Sequence, residues 1–404
     1  MRLVHLSLTN FRNFARLELD FPQPISLLQG GNAQGKTNLL EAIYYLAISR
    51  SPRATAEREV VNWLAFDEPL PFARLVADVV RGGSPLRLEI TLVQRANQGG
   101  NTPRFFKQIR INGVNKRALD LVGCLPVVLF LPRDIRLVTG SPSGRRRYLN
   151  ASLCQIDAAY CRSLAEYGRV LTQRNALLRE LRERGGGGAQ QLRFWDERLV
   201  TLGSRLTVRR AALVAALDEE AREQHRELSA GRERLRLRYE SGITDRLPSL
   251  GQQLALELEG VAESPFLDVD QVAALFQKGL DALRGREIAA GMSLLGPHRD
   301  DLGFLSEGRA LRAYGSRGQQ RTAALALKLA EVTVMSRELG EPPLLLLDDV
   351  MSELDEARRR ALLSLLSSVP QAIVTATDWE DFSPAFRGQA RQLQVVEGMI
   401  EEVV

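Results

Sequence analysis

The chain has 404 residues, which is long enough for two domains or for one domain with a large insertion. Of these residues 45% are hydrophobic and 25% are charged, as in an ordinary globular protein. No apolar run is long enough to span a bilayer, and the first residues lack the pattern of a secretory signal. We therefore expect a cytoplasmic protein without a membrane partner. The three cysteines have no metal-ligand spacing. The net charge of +5 suits an anionic partner, although a GC-rich genome is the favoured explanation for the abundance of arginine.

The first third of the chain predicts short strands around one helix. Apolar and polar residues alternate over Arg2–Thr9 and Leu17–Phe21, and Ile25–Gln29 is a short apolar run that stops at Gly30. From Lys36 the apolar residues follow helical spacing. Further strands, joined by loops rich in glycine, asparagine and proline, are expected at Phe72–Val80, Leu86–Val93 and Gln108–Ile111.

The middle of the chain predicts two long amphipathic helices. Apolar residues recur at intervals of nearly 3.5 residues between Ile156 and Leu181, and again between Leu192 and Leu217, after a tract of glycines. Helices joined in this way form an antiparallel hairpin, which we expect to be an arm. We assign this arm to residues 151–290.

An α/β pattern returns after the arm. The apolar run Leu344–Leu347 and the stretch Ala372–Thr377 predict buried strands, and a last pair of strands is expected near Gln392–Val404. Residues 1–150 and 291–404 are therefore expected to be the two parts of one α/β domain into which the arm is inserted.

The loop Gly30–Thr37 matches the pattern G-x-x-x-x-G-K-[ST] between a predicted strand and a predicted helix. In such a P-loop, backbone N–H groups and the helix N-terminus surround phosphates. Lys36 would reach the β- and γ-phosphates, and the Thr37 hydroxyl would ligate Mg²⁺. The predicted ATP-binding residues are Gly30, Gly31, Asn32, Ala33, Gln34, Gly35, Lys36, Thr37 and Asn38.

The run Leu344–Leu347 ends in two carboxylates, Asp348 and Asp349. A buried strand that delivers acids at its C-terminal end is what a Walker B element requires. We expect Asp348 to hold Mg²⁺ and Asp349 to orient or deprotonate the attacking water, so that Lys36 and Asp349 are the predicted catalytic residues. Taken alone, the motif is also typical of a core strand that ends in a solvated loop. The catalytic interpretation is favoured because the same chain contains a P-loop.

The stretch Ser316–Gln320 precedes a helical pattern and contains a serine, a glycine and two amides. Such a helix start can bind an anion, although by itself it also describes an ordinary N-cap.

These motifs in this order resemble the ATP-binding-cassette superfamily, with Ser316–Gln320 as its S-x-G-Q signature and Ser352–Asp355 at the position of its D-loop. Within the DNA-maintenance branch of that superfamily, the chain resembles the RecF family over its whole length. The other stretches that carry this resemblance are Leu8–Phe14, Gly35–Ile43, Gly144–Leu149, Gln173–Leu178, Gly296–Asp301 and Leu347–Asp355.

The resemblance implies an α/β fold, namely an ABC-type P-loop ATPase head with mixed sheets and an inserted antiparallel helical arm domain. It implies a protein of recombinational DNA repair and replication-fork maintenance that acts on double- and single-stranded DNA at gaps or junctions. RecO and RecR are the implied partners in loading RecA. ATP with Mg²⁺ would join a homodimer, with Ser316, Gly318 and Gln320 of one subunit contacting the γ-phosphate held by the other. Slow, DNA-stimulated hydrolysis would reset this switch.

Four positions are assigned by the resemblance or depart from it. Asp349 stands where transporter cassettes carry glutamate, as in the RecF family, so slow hydrolysis is expected. The switch histidine is missing, and Thr377 is our candidate for its position. The glutamine lid is not recognisable near Asn62–Trp63. The resemblance also places Arg12 near the nucleotide, although a surface arginine in a turn would have the same pattern.

Arg145, Arg146 and Arg147 are candidate contacts for DNA phosphates, although a run of three charges is also typical of a solvated helix start.

Two functions remain: an ATP-gated DNA clamp, or an ATP-dependent protein-assembly factor whose arm binds partners and which has no DNA groove of its own. A transporter ATPase is disfavoured by the arm and by the missing histidine.

Overall fold

A computed structural model of the chain describes residues 1–95, 104–185, 188–245 and 268–403. The chain forms two compact units, Met1–Asp134 with Glu331–Val404 and Ile135–Ala330. The sequence instead places the boundaries after residues 150 and 290. One helix, Pro142–Ile156, runs through the first of these positions. A strand that follows the second, Asp301–Ser306, pairs with a strand that precedes it.

The secondary-structure elements follow in chain order. The strands are β1 (Arg2–Phe11), β2 (Phe14–Asp20), β3 (Ile25–Gln29), β4 (Phe72–Arg81), β5 (Ser84–Arg95), β6 (Arg104–Ile111), β7 (Val114–Lys116), β8 (Val127–Phe130), β9 (Leu235–Glu240), β10 (Asp301–Ser306), β11 (Arg309–Ala310), β12 (Leu344–Asp348), β13 (Ala372–Ala376), β14 (Arg391–Val396) and β15 (Met399–Glu402). The longer helices are α1 (Lys36–Ile48), α2 (Pro142–Ile156), α3 (Ala158–Glu183), α4 (Leu192–Leu228), α5 (Val269–Ala290), α6 (Arg317–Leu339) and α7 (Glu356–Ser368). Short helices or helical turns lie at Glu57–Val60, Trp63–Asp67, Ala118–Leu121, Pro132–Asp134, Ile135–Thr139, Ala189–Gln191, Gly242–Asp245, Leu311–Tyr314, Met351–Glu353, Trp379–Asp381 and Pro384–Arg387.

The first unit contains an antiparallel sheet with the strand order β2-β1-β4-β5-β6-β7. The alternation in β1 predicts that Leu3 and Leu6 lie on opposite faces, yet both are buried. The reason is a β-bulge between Leu3 and His5 in the pairing with β4, which reverses the face of every later residue.

The second sheet of this unit has the order β15-β14-β3-β13-β12-β8, with β14, β3, β13, β12 and β8 parallel and β15 antiparallel at the edge. Every residue of β12 and β13 is buried, as expected for central strands of a parallel sheet covered on both faces. Helix α1 contacts both β12 of this sheet and β4 of the other. Its apolar residues therefore join the two sheets in one core.

The second unit contains the predicted helical hairpin, formed by α3 and α4, and a small sheet of the order β11-β10-β9. Arg174 on α3 is only 1% exposed and donates to Asp196 on α4 at 2.7 Å and to Glu287 on α5 at 2.6 Å. A buried charge that loses one of its partners is strongly destabilising. The two ion pairs therefore favour the alignment of the three helices that keeps both of them. No described helix combines the length and apolar character needed to cross a bilayer.

Candidate functional site

Three parallel strands of the first unit end at one edge of their sheet. β3 leads into the loop Gly30–Thr37, β12 ends at Asp348, and β13 lies between them. In parallel sheets, ligands bind outside the carboxyl ends of the strands. A cavity of about 200 Å³ lies at this edge, lined by Gly31, Asn32, Ala33, Gln34, Gly35, Lys36, Thr37, Asn38, Arg53, Asp348 and Asp349.

The Lys36 ammonium is buried at the base of this loop. Its Nζ donates to the carbonyl oxygens of Gly30 and, at 3.0 Å, of Gly31. Burial lowers the pKa of Lys36, while the nearby carboxylates of Asp348 and Asp349 act in the opposite direction. Phosphate oxygens are charged acceptors and therefore stronger partners for Nζ than these neutral carbonyls.

Thr37 and Asp348 are brought together from α1 and β12. Thr37 Oγ1 donates to Asp348 Oδ1 at 2.7 Å, and Thr375 Oγ1 on β13 donates to the same oxygen at 3.2 Å. A hydroxyl and one carboxylate are suitable oxygen ligands for Mg²⁺ that is also held by phosphates. No cluster of three or more His, Cys, Asp or Glu side chains able to hold a metal occurs among the described residues. The pair fits a metal bound together with nucleotide.

Asp349 has an unusual backbone and an unpaired acceptor. Its φ is +50°, and its backbone N–H donates to the Thr375 carbonyl at 3.2 Å and to Thr375 Oγ1 at 3.1 Å. Within the described part of the chain its buried Oδ1 has no hydrogen-bond partner. Burial, and then the charge of Asp348, raise the pKa of Asp349 against the opposing effects of Lys36 and of the Thr377 backbone. A carboxylate with a raised pKa that lines a cavity can accept a proton from water.

Arg12 does not line the cavity, and its place there is taken by Arg53. Arg12 Nη2 donates to the buried carboxylate of Glu41 at 2.7 Å, and Arg53 donates to the same carboxylate. Burial acts to raise the pKa of Glu41, but hydrogen bonds from Arg12, Ser51 and Arg53 lower it overall. Arg53 also reaches Asn38 Oδ1 at 2.5 Å. Arg12 therefore reaches the cavity through Glu41 and Arg53.

Sequence reasoning missed Arg53, which lies in no recognisable motif. Arg53→Ala is expected to weaken ATP binding by about tenfold, because one charged donor is removed from the cavity. Arg50→Ala is the matched control, since Arg50 is exposed in the same turn and does not line the cavity. A titration with a fluorescent ATP analogue measures both variants, and equal affinities for the two would contradict this role of Arg53.

The residues considered for the switch histidine and the lid lie outside the cavity lining. Thr377 approaches Asp349 through its backbone, and its carbonyl accepts from Gln29 Nε2 at 3.0 Å. Asn62 is buried as an N-cap, with its side chain accepting from the Leu64 N–H at 2.9 Å. Trp63 is 73% exposed.

The predicted signature forms the start of α6 in the second unit. Ser316 and Gln319 make reciprocal bonds: Ser316 Oγ accepts from the Gln319 N–H at 3.2 Å, and Gln319 Oε1 accepts from the Ser316 N–H at 2.7 Å. Ser316 and Gly318 are exposed. Gln320 is buried and donates to the carbonyls of Leu311 and Gly315, so its amide supports the loop that precedes the helix.

The three arginines predicted to contact DNA have different surroundings. Arg145 is buried and forms a two-pronged ion pair with Asp301 at 2.6 and 2.7 Å. Arg146 donates to the Asp300 carbonyl at 2.7 Å. Arg147 is exposed. Of the three, Arg147 is therefore the exposed one, while Arg145 and Arg146 have partners inside their own unit.

Comparisons with known proteins agree with this geometry. Residues 2–398 match the family described as RecF/RecN/SMC N terminal domain. The chain is 43% identical to a protein of Chloroflexus aurantiacus named DNA replication and repair protein RecF, over 99% of both chains. It is 44% identical to a protein of that name from Roseiflexus castenholzii, over 98% of this chain and 99% of the other.

Solved structures give the same result for the fold. A structure of the recombination mediator protein RecF-ATP in the RecFOR pathway superposes with a TM-score of 0.82 and 31% identity, covering 100% of this chain and 97% of the other. A structure of RecF-ATPrS also has a TM-score of 0.82, with 30% identity and coverage of 100% and 98%. The expected fold, an ATPase head with a helical arm, is confirmed.

Proposed function

The chain belongs to the RecF family of DNA replication and repair proteins, and on that premise we propose that ATP joins two copies of it into a clamp on DNA. The observation that carries the proposal is the convergence of Lys36, Thr37, Asp348 and Asp349 on one cavity. A second anion-binding helix start, at Ser316, is exposed elsewhere on the chain. The cavity and this exposed helix start are proposed to be the two halves of a site that is completed between subunits.

The first half binds the nucleotide. Backbone N–H groups of the loop Gly31–Thr37 cradle the phosphates, and Lys36 exchanges the carbonyls of Gly30 and Gly31 for phosphate oxygens. Thr37 and Asp348 would hold Mg²⁺, which would neutralise charge on the phosphates. Asp349, which lines the cavity, orients the attacking water and accepts its proton. Hydrolysis is slow and ends the ATP-bound state.

The second half comes from the partner copy. Ser316 and Gly318 present the N-terminus of α6 to the γ-phosphate, while Gln320 holds the loop in shape from below. ATP bound in the cavity thereby becomes part of the interface between two copies. A nucleotide that contributes to an interface shifts the monomer–dimer equilibrium by its differential affinity for the dimer.

Ser316→Arg tests the second half alone. The substitution adds a long side chain at the helix start, so we expect ATP affinity in the monomer to stay unchanged while ATP-dependent dimerisation is lost. Light scattering with and without ATP measures the mass. Ser367→Arg, at an exposed serine of α7, is the matched control and should dimerise normally. Full dimerisation of Ser316→Arg would rule out contact through this helix start.

The dimer is proposed to act on DNA in the cytoplasm. We propose that it grips double- and single-stranded DNA at gaps or junctions, works with RecO and RecR, and promotes RecA loading. Support comes from the solved RecF structures, which are described as belonging to the RecFOR pathway. Exposed Arg147 is the candidate phosphate contact.

A second function is kept because two of the three candidate DNA contacts have partners in their own unit. Arg145 pairs with Asp301, and Arg146 binds the Asp300 carbonyl. If DNA is held by other proteins, this chain is an ATP-dependent assembly factor. Arg147→Ala separates the two functions, since an assembly factor would retain its activity and a DNA clamp would lose affinity for DNA.

A further inference from the structure

The tip of the phosphate-binding loop is held from outside by two separate elements. The carbonyl oxygen of Gln34 accepts one hydrogen bond from Asn13 Nδ2 and one from the Gly398 N–H, each at 3.0 Å. Asn13 lies in the turn between β1 and β2, and Gly398 lies in the turn between β14 and β15. The Glu397 N–H donates to Gln34 Oε1 at 2.6 Å. Both lone pairs of one carbonyl are therefore engaged.

This carbonyl determines where the next N–H group points. In a trans peptide unit, C=O and N–H point in opposite directions within one plane. Two donors that fix the Gln34 carbonyl on the outer side of the loop therefore also fix the Gly35 N–H on the inner side. Gly35 lines the cavity in which the phosphates are proposed to bind. An N–H fixed in this way requires no reorientation when an anion arrives.

The space beside Gly35 is filled by the same asparagine. Gly35 has a φ of +118°, and a Cβ at this position would lie 2.5 Å from Asn13 Nδ2. Asn13 Oδ1 accepts from Asn38 Nδ2 at 2.7 Å, so one side chain contacts both ends of the turn into α1. Asn13 is not among the residues of positive φ, which include its neighbours Asn10 and Arg12, so alanine fits its backbone.

We propose that Asn13 and the turn Glu397–Gly398 are positioning elements for phosphate binding, which aim the Gly35 N–H into the cavity by holding the Gln34 carbonyl away from it. The inference rests on the proposed ATP site and assigns it two supports outside the P-loop motif. One of them comes from the far end of the chain, so the last hairpin is part of the nucleotide site without touching the nucleotide.

The test compares Asn13→Ala with Asn115→Ala in the full-length chain. Asn115 lies on β7 of the same sheet as β1, and its Oδ1 accepts from Gln108 Nε2 at 3.0 Å, away from the loop. ATP and sodium tripolyphosphate are each used to displace a fluorescent ATP analogue. We expect Asn13→Ala to weaken the binding of ATP and of tripolyphosphate by about tenfold each, because one donor to a charged acceptor is misdirected. Asn115→Ala should change neither affinity. Both variants should be folded at the assay temperature, which melting curves without nucleotide measure.

An equal loss of affinity for ATP and for tripolyphosphate locates the effect at the phosphates, because tripolyphosphate has no base or ribose. Wild-type affinity in Asn13→Ala, or a loss for ATP alone, would overturn the inference while leaving the proposed function intact. Failure of the wild type to bind ATP would overturn both. Gly398→Ala tests the second donor, since its Cβ would lie 2.8 Å from the Asn13 carbonyl at a φ of +81°. It should weaken both probes in the same way, and unchanged affinities would contradict the role of the hairpin.

Discussion

Lys36→Ala is expected to abolish ATP binding, with a loss of affinity of at least about a hundredfold. The ammonium donates to the carbonyls of Gly30 and Gly31 in the loop, and charge-assisted hydrogen bonds to phosphate each contribute about 1.5–3 kcal/mol. The fold should survive, because burial already disfavours the charged form and lowers the pKa of this lysine. A fluorescent-nucleotide titration measures the affinity, and thermal unfolding without nucleotide measures the stability.

Lys116→Ala provides the control for loss of a lysine. Lys116 is exposed on β7 of the same unit and does not line the cavity, so both affinity and stability should equal those of the wild type. ATP binding by Lys36→Ala within a few fold of the wild type would contradict the assignment of the cavity as the nucleotide site.

Asp349→Asn is expected to keep ATP binding while slowing hydrolysis by about a hundredfold or more, the usual contribution of a general base. Asparagine tolerates the left-handed backbone of this position better than most residues, so the loop geometry should be preserved. The amide cannot take a proton from water. Because the bound ATP is then hydrolysed only slowly, the ATP-bound dimer should accumulate. Phosphate release measures the first effect, and light scattering with ATP measures the second.

Asp381→Asn is the matched control for this substitution. Asp381 contributes to the charge around Asp349 but does not line the cavity. It should hydrolyse ATP at close to the wild-type rate. A wild-type rate in Asp349→Asn would show that another group activates the water.

The parts of the site that the sequence predicts are those encoded within a few consecutive residues. A glycine-rich loop between a strand and a helix, and four leucines that end in two aspartates, each specify their own local structure. Parallel pairing of β3, β13 and β12 then brings the two motifs together, because the carboxyl ends of parallel strands share one edge.

The parts that the sequence does not predict depend on partners far away in the chain. Arg53 enters the cavity because Glu41 holds it there, and Asn13 supports a carbonyl that also requires Gly398. The run of three arginines predicts an exposed charge at Arg145, but in the folded unit this residue forms an ion pair with Asp301. In each case the decisive neighbour is set by tertiary packing, for which local periodicity carries no signal.

ATP is proposed to control how tightly the protein binds DNA, and a titration of gapped and blunt duplex with and without ATP measures this control. Fluorescence anisotropy is measured at two salt concentrations, with Lys36→Ala as the control that lacks nucleotide. We expect ATP to strengthen binding to gapped DNA by at least about tenfold in the wild type and not in the variant, with affinity falling steeply as salt rises because phosphates are the contacts. Equal affinity with and without ATP, together with a salt dependence near zero, would show that the protein is not an ATP-controlled DNA clamp.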